Sequence, residues 1–277
     1  MQPLTFKLVN KLKNKINLTA YTKSLLSLLA LCCAYTLFTF VLLIPNFAQA
    51  AGWSINPTRI DLTPTKQTAA MTITNDSDAP TTVQVQAVAW SQEEGRDVLI
   101  STKELLVSPP IVTIASKGVQ IIRITLRKPA DKTKELAYRI NLQELPTAAT
   151  QSAPQASSVQ VALRIGLPVF VQPRKGRAEP KMTWRLETSA DSSLKVTLHN
   201  EGTAHIQISD FSLYTIGSDQ PLASIAGSSY VLAGESRDWL LKPTSISTEK
   251  VNASGRLRLR AFTDGENIDT LLVLNKP

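Results

Sequence analysis

The sequence predicts an all-β protein built as two β-sandwiches, and three observations predict it. Short alternating apolar segments recur about every ten residues from Trp53 onward. No run of apolar residues keeps helical spacing, and a charged, proline-bounded stretch from Pro173 to Pro180 separates two series of such segments.

In the first series, Ala70 to Thr74 leads into the turn residues Asn75-Asp76-Ser77-Asp78, and Thr82 to Trp90 leads into Glu93-Glu94-Gly95. Val119 to Leu126 and Ala137 to Leu145 follow. The stretch from Ser158 to Phe170 carries large apolar residues at consecutive odd positions: Val159, Val161, Leu163, Ile165 and Leu167. Alternation sends all of them to one face of an extended strand and leaves Gln160, Ala162, Arg164 and Gly166 on the other. Thr147 to Ser157, rich in Ala, Gln, Ser and Thr, reads as a flexible loop ahead of that strand. The second series contains Met182 to Leu186, Leu194 to Leu198, Ile206 to Tyr214, Tyr230 to Leu232, Trp239 to Leu241, Leu257 to Phe262 and Thr270 to Leu274. That number of segments fits a sandwich of immunoglobulin-like size. The expected organisation is residues 1–50 as a targeting segment, 51–173 as the first sandwich with its apolar strand, and 180–277 as the second.

The targeting segment is expected from the order of its parts. Lys7, Lys11, Lys13, Lys15 and Lys23 precede a nearly uninterrupted apolar run from Ser24 to Ile44, and Ala48-Gln49-Ala50 follows Pro45. This is the pattern of a secretory signal peptide cleaved after Ala50, although the run is long enough to span a bilayer as an uncleaved anchor. Either way the rest of the chain is exported. The segment holds 5 of the 30 Lys and Arg and none of the 22 Asp and Glu, so the mature part has 25 basic and 22 acidic residues, a net charge of +3. So mild a balance gives no footprint for nucleic acid. Both cysteines, Cys32 and Cys33, lie in the apolar run, and the mature part cannot depend on a disulfide.

An enzyme is disfavoured by the inventory. His199 and His205 are the only histidines and flank Asn200-Glu201-Gly202-Thr203-Ala204, which reads as a hairpin loop with polar positions and not as a metal site. No nucleophile elbow or phosphate-binding loop occurs. Trp90, Trp184 and Trp239 sit in or beside alternating segments and are expected in cores, not on a carbohydrate platform.

Four collinear stretches resemble the periplasmic pilus-assembly chaperones, the PapD-like family. They are Pro57-Thr58-Arg59-Ile60-Asp61-Leu62; Pro109-Pro110 through Gly118, Gln120 and Arg123-Ile124; Tyr138-Arg139-Ile140-Asn141-Leu142-Gln143-Glu144-Leu145-Pro146; and the apolar strand ending Leu167-Pro168-Val169-Phe170. Leu198-His199-Asn200-Glu201-Gly202 and Thr263-Asp264-Gly265 look like further family features. The resemblance implies a boomerang of two immunoglobulin-like domains in the periplasm, whose cleft receives a pilus subunit lacking its final strand before delivery to an outer-membrane usher. In that frame Val159, Val161, Leu163, Ile165 and Leu167 are the donor row, completing the subunit by strand addition. Arg59 matches the family arginine that holds the subunit's C-terminal carboxylate, a task suited to a guanidinium fork. Pro168 stands where the family places a lysine, which points to a divergent or archaic-type branch. Arg123 is then the first candidate for the second cation and Arg164 the second, four residues before Pro168, or about 13 Å along a strand. Strand donation needs no cofactor, metal or catalytic residue, and an exposed donor edge would encourage self-association that caps it. The alternative is a secreted two-domain structural or adhesive protein, such as a pilus component.

Overall fold

The computed structural model describes residues 52–145, 162–189, 193–243 and 255–275, together with Leu31 and Tyr35. The chain divides into two units, Met1–Ala50 and Ala51–Pro277, and every described strand belongs to the second. Apart from Leu31 and Tyr35, the proposed signal peptide with its cleavage after Ala50 lies outside the described residues, as do the loop at 147–157 and donor positions Val159 and Val161.

The first sandwich opposes two sheets. One has the order β1 (Trp53–Asn56), β3 (Thr68–Asn75), β8 (Val119–Leu126), β6 (Leu105–Ser108). The other has the order β2 (Ile60–Leu62), β10 (Arg164–Val171), β9 (Leu136–Leu145), β4 (Thr81–Glu93), β5 (Arg96–Ser101), with β7 (Ile111–Ile114) also paired to β4. Alternation read from the sequence places Met71, Ile73, Val83, Val85, Ile122, Ile124, Ile140 and Leu142 inside, and all are buried in one core.

Seven strands make the second sandwich: β11 (Met182–Thr188), β12 (Leu194–Asn200), β13 (Ile206–Thr215), β14 (Pro221–Val231), β15 (Ser236–Leu241), β16 (Arg256–Thr263) and β17 (Ile268–Asn275). They form one hydrogen-bonded path, β14-β13-β16-β17-β11-β12-β15, that turns a corner where β11 meets β17 in parallel at Leu186↔Leu274 and Glu187↔Asn275. Its own core includes Leu186, Val196, Leu198, Phe211, Leu213, Trp239, Leu257 and Leu259. Residues 172–181, which contain the charged stretch, carry no strand.

The segment after His199 is not a hairpin, contrary to the sequence expectation. β12 pairs with β11 and β15 whereas β13 pairs with β14 and β16, so residues 201–205 pass from one face of the sandwich to the other. His205 is accordingly buried, at 6% exposure, and not a polar loop position. Trp239 lies in the second core and Trp184 packs against it, whereas Trp90 joins Phe170 and Leu232 in a separate small cluster between the two sandwiches.

Candidate functional site: the β10 edge and the Arg59 cleft

The strand β10 changes character along its length. From Leu167 to Val171 every residue is buried, because one face lies on the first core and the other meets the second sandwich. Leu163 and Ile165 are half-buried, with Ile165 packed against the first core, and Leu167 is 5% exposed within it. The odd-numbered row is therefore covered at Leu167 and partly open at Ile165 and Leu163.

Pairing changes at the same place. β9 runs antiparallel to the whole of β10, with Arg164↔Gln143 and Leu167↔Ile140 in register. Glu144 N–H donates to the Leu163 carbonyl at 2.9 Å, so odd-numbered residues turn both main-chain groups toward β9 and even-numbered residues turn theirs to the opposite edge. On that edge β2 meets β10 in parallel only from Val169 to Val171. Among the described residues, Arg164 and Gly166 thus present an N–H and a carbonyl along an unpaired edge, which closes at Pro168, where β2 arrives.

Arg59 stands at the mouth of this edge, in the bend that feeds β2. Its Nε donates to Asp61 Oδ1 at 3.1 Å and its Nη1 to Asp264 Oδ2 at 2.8 Å. The guanidinium carbon lies 5.3 Å from the Phe170 ring centre, so the charge also rests on an aromatic face. Arg59, Lys66 and Arg123 line one open cleft of about 640 Å³, with Asp61, Thr68 and Thr125 beside them. Arg123 is exposed on β8, where alternation turns it away from the core between Ile122 and Ile124. Arg164, exposed at the start of β10, is not among the residues that line this cleft.

Behind Arg59 lies a buried polar group that the inventory of candidate residues omitted. His205 stacks on Phe170 with ring centres 3.4 Å apart and planes at 5°. Glu135 Oε1 accepts from His205 Nδ1 at 2.6 Å and from its main-chain N–H at 3.1 Å. Asp264 Oδ1 accepts from Gln207 N–H at 3.0 Å, and its Oδ2 lies 3.4 Å from His205 Nε2, which has no aligned hydrogen-bond partner. Burial opposes ionisation of Asp264, but His205, the Gln207 amide and Arg59 together hold it down to about 2. Burial also opposes the His205 charge, yet Asp264 and Glu135 raise its pKa above the ordinary histidine value. One signal for Phe170 was present in the sequence. The unbroken apolar run from Leu167 to Val171 departs from alternation, as strands covered on both faces do. His205 and Glu135 carried none, since their meeting depends on how two sandwiches join.

Residues 52–177 match the family described as pili and flagellar-assembly chaperone, PapD N-terminal domain. The amino-terminal sandwich thus matches the N-terminal domain of the PapD-type chaperones. That is a family of assembly chaperones and not of enzymes, and among the described residues no group of three His, Cys, Asp or Glu is arranged to hold a metal ion. The fold of the chain is similar to that of a protein in the chaperone–tip subunit complex CsuC–CsuE from archaic Csu pili of Acinetobacter baumannii, with TM-score 0.58 and 18% identity over 82% of this chain and 100% of that one. It is also similar to a protein in the SafA pilin–SafB chaperone complex of Salmonella enterica, at 0.55 and 18% over 82% and 98%. The Pseudomonas aeruginosa CupB2 chaperone matches at 0.51 and 15% over 80% and 100%. No curated protein sequence matches the chain significantly. The PapD-type match ends just beyond β10, so it takes in both the unpaired edge and Arg59.

Proposed function

We propose that this chain is a periplasmic chaperone that captures pilus subunits by lending them the β10 edge, and passes them to an outer-membrane usher. The observation that carries this reading is the edge from Arg164 to Gly166, bonded on one side only and lying beside a cationic cleft. A sandwich lacking a strand exposes an apolar groove and unpaired main-chain groups, both costly in water. An incoming subunit strand gains main-chain bonds at Arg164 and Gly166 while Val159, Val161, Leu163 and the open part of Ile165 supply apolar cover; Leu167, already buried in the first core, ends the row. Arg59 holds the subunit's terminal carboxylate, and Arg123 in the same cleft is the second cation; Arg164 serves the strand instead of the anchor. The chaperone–tip subunit complex from archaic chaperone–usher pili among the similar folds supports the capture of subunits in this reading.

Arg59→Ala is expected to leave the protein folded and to abolish recovery of soluble subunit on co-expression, because removing one partner of a desolvated charge pair costs about 2 to 5 kcal/mol. Leu163→Glu is expected to block capture while Ala162→Glu, on the exposed face, spares it. Undiminished co-purification with Arg59→Ala removes the anchor role, and equal effects at 162 and 163 remove the donor row.

A further inference from the structure

The guanidinium that the chaperone reading reserves for a client is already engaged. Asp61 takes Nε and Asp264 takes Nη1, and a carboxylate gripped by two parallel bonds needs two adjacent N–H groups free together. One resident must leave. Asp61 is 53% exposed and turns to water, whereas Asp264 is 23% exposed and has a second partner within reach. His205 Nε2 is buried, lacks a hydrogen bond and points at the same Oδ2 from 3.4 Å. An orphaned buried nitrogen is costly unless some state of the molecule satisfies it.

We propose that Asp264 is a resident stand-in for the client's terminal carboxylate on Arg59, and that His205 receives Asp264 when the client displaces it. This deepens the carboxylate-anchor reading of Arg59 and rests on it. The exchange needs only that the 3.4 Å gap between Oδ2 and Nε2 close to hydrogen-bond length, because Asp264 Oδ1 stays on the Gln207 amide while Oδ2 changes partner. Phe170, stacked flat on the imidazole, keeps Nε2 aimed. Glu135 accepts from Nδ1–H, so Nε2 carries a proton only in the imidazolium, and the exchange draws a proton onto His205. The groups facing the ring are Glu135 ahead of β9, Asp264 after β16, Arg59 ahead of β2 and Tyr230 on β14. Of these, Arg59 alone opposes the imidazolium charge, and its opposition is relieved as a client neutralises it. The free protein is thereby kept from binding stray carboxylates in its anchor, at the expense of some affinity for the right one.

The probe is N-acetyl-leucine, with N-acetyl-leucinamide as the uncharged control, titrated into the protein and followed by NMR at the Arg59 side chain and the His205 ring. Asp264→Asn keeps an acceptor for the Gln207 amide while releasing Arg59. It is expected to bind the acid about fivefold or more tighter than wild type, with no gain for the amide. In the wild type, adding the acid is expected to move the His205 titration midpoint upward. Asp264→Asn binding no tighter than wild type, undetectable binding by either included, overturns the stand-in. So does a His205 midpoint that stays put in the wild type, a readout that needs no variant. Binding lost in Arg59→Ala but unimproved in Asp264→Asn overturns the stand-in and leaves the anchor standing. Unchanged binding in Arg59→Ala removes the anchor and the stand-in with it.

Discussion

Asn75 and Asn200 solve the same local problem in the two sandwiches. Each is fully buried at the end of a strand and ties down the chain that leaves it. Asn75 Nδ2 donates to the carbonyls of Ala79, Ile114 and Ala115, and its Oδ1 accepts from Ser77 N–H. Asn200 Nδ2 donates to Ala204, Val231 and Leu232, and its Oδ1 accepts from Gly202 N–H. Glycine is required at 202, where a Cβ would collide with Glu179 O and Lys181 N. Asn75→Ala is expected to cost about 1 to 3 kcal/mol in denaturant unfolding, since it leaves buried carbonyls unpaired. The Asp264–His205 pair predicts a pH window. Asp264 is depressed to about 2, so its contribution is present above the unfolded carboxylate value and fades as pH falls from roughly 4 toward 2. His205 is raised, so its contribution is complete below its unfolded value of about 6.5 and is lost as pH rises through the folded one. The stability gap between wild type and Asp264→Asn is expected to be widest between about pH 4 and 6.5, and a gap that widens steadily above pH 7 would contradict this.

At the scale of elements, β10 is two strands joined end to end. Its buried half serves the protein's own architecture, and its open half leaves main-chain groups unpaired on one edge. Phe170→Ala in the buried half is expected to cost about 3 to 5 kcal/mol by chemical denaturation, because the cavity would be walled by two sandwiches with little freedom to collapse. Most of the strands that carry cores were legible in the sequence: Val119–Leu126 is found with the bounds read from alternation, and β3, β4, β9 and β11 to β17 lie within a few residues of expectation apart from a longer β14. β5 was not, because it lies exposed along most of its length at the sheet edge and needs no apolar row. The odd-numbered row of β10 was legible, but the point where it passes under cover was not. Burial at Leu167 is set by what packs on the strand, and Ile165 and Leu167 are equally apolar in sequence.

For the molecule as a whole, the junction between the sandwiches is small but specific. Trp90, Phe170 and Leu232 form its apolar centre, with Tyr230 edge-on to Trp90 at 5.4 Å and the Arg139 guanidinium 3.8 Å from the Trp90 ring centre. Gln92, 3% exposed, bridges it by donating to the Tyr230 carbonyl and accepting from Leu232 N–H, both at 2.9 Å. Gln92→Leu fills similar space but strands both main-chain groups, and calorimetry is expected to resolve two unfolding transitions where the wild type shows one. None of this was readable beforehand, because a tryptophan in an alternating strand looks the same whether it meets its own core or a neighbouring domain. The arrival of β2 beside β10 at Val169 carries a last consequence for the proposed complex. There, a guest lying along the edge is stitched by peptide groups as far as Gly166, and beyond that point it is gripped through charge alone. Raising ionic strength therefore loosens the grip at one terminus and spares the stitching at the other, which gives departure a direction.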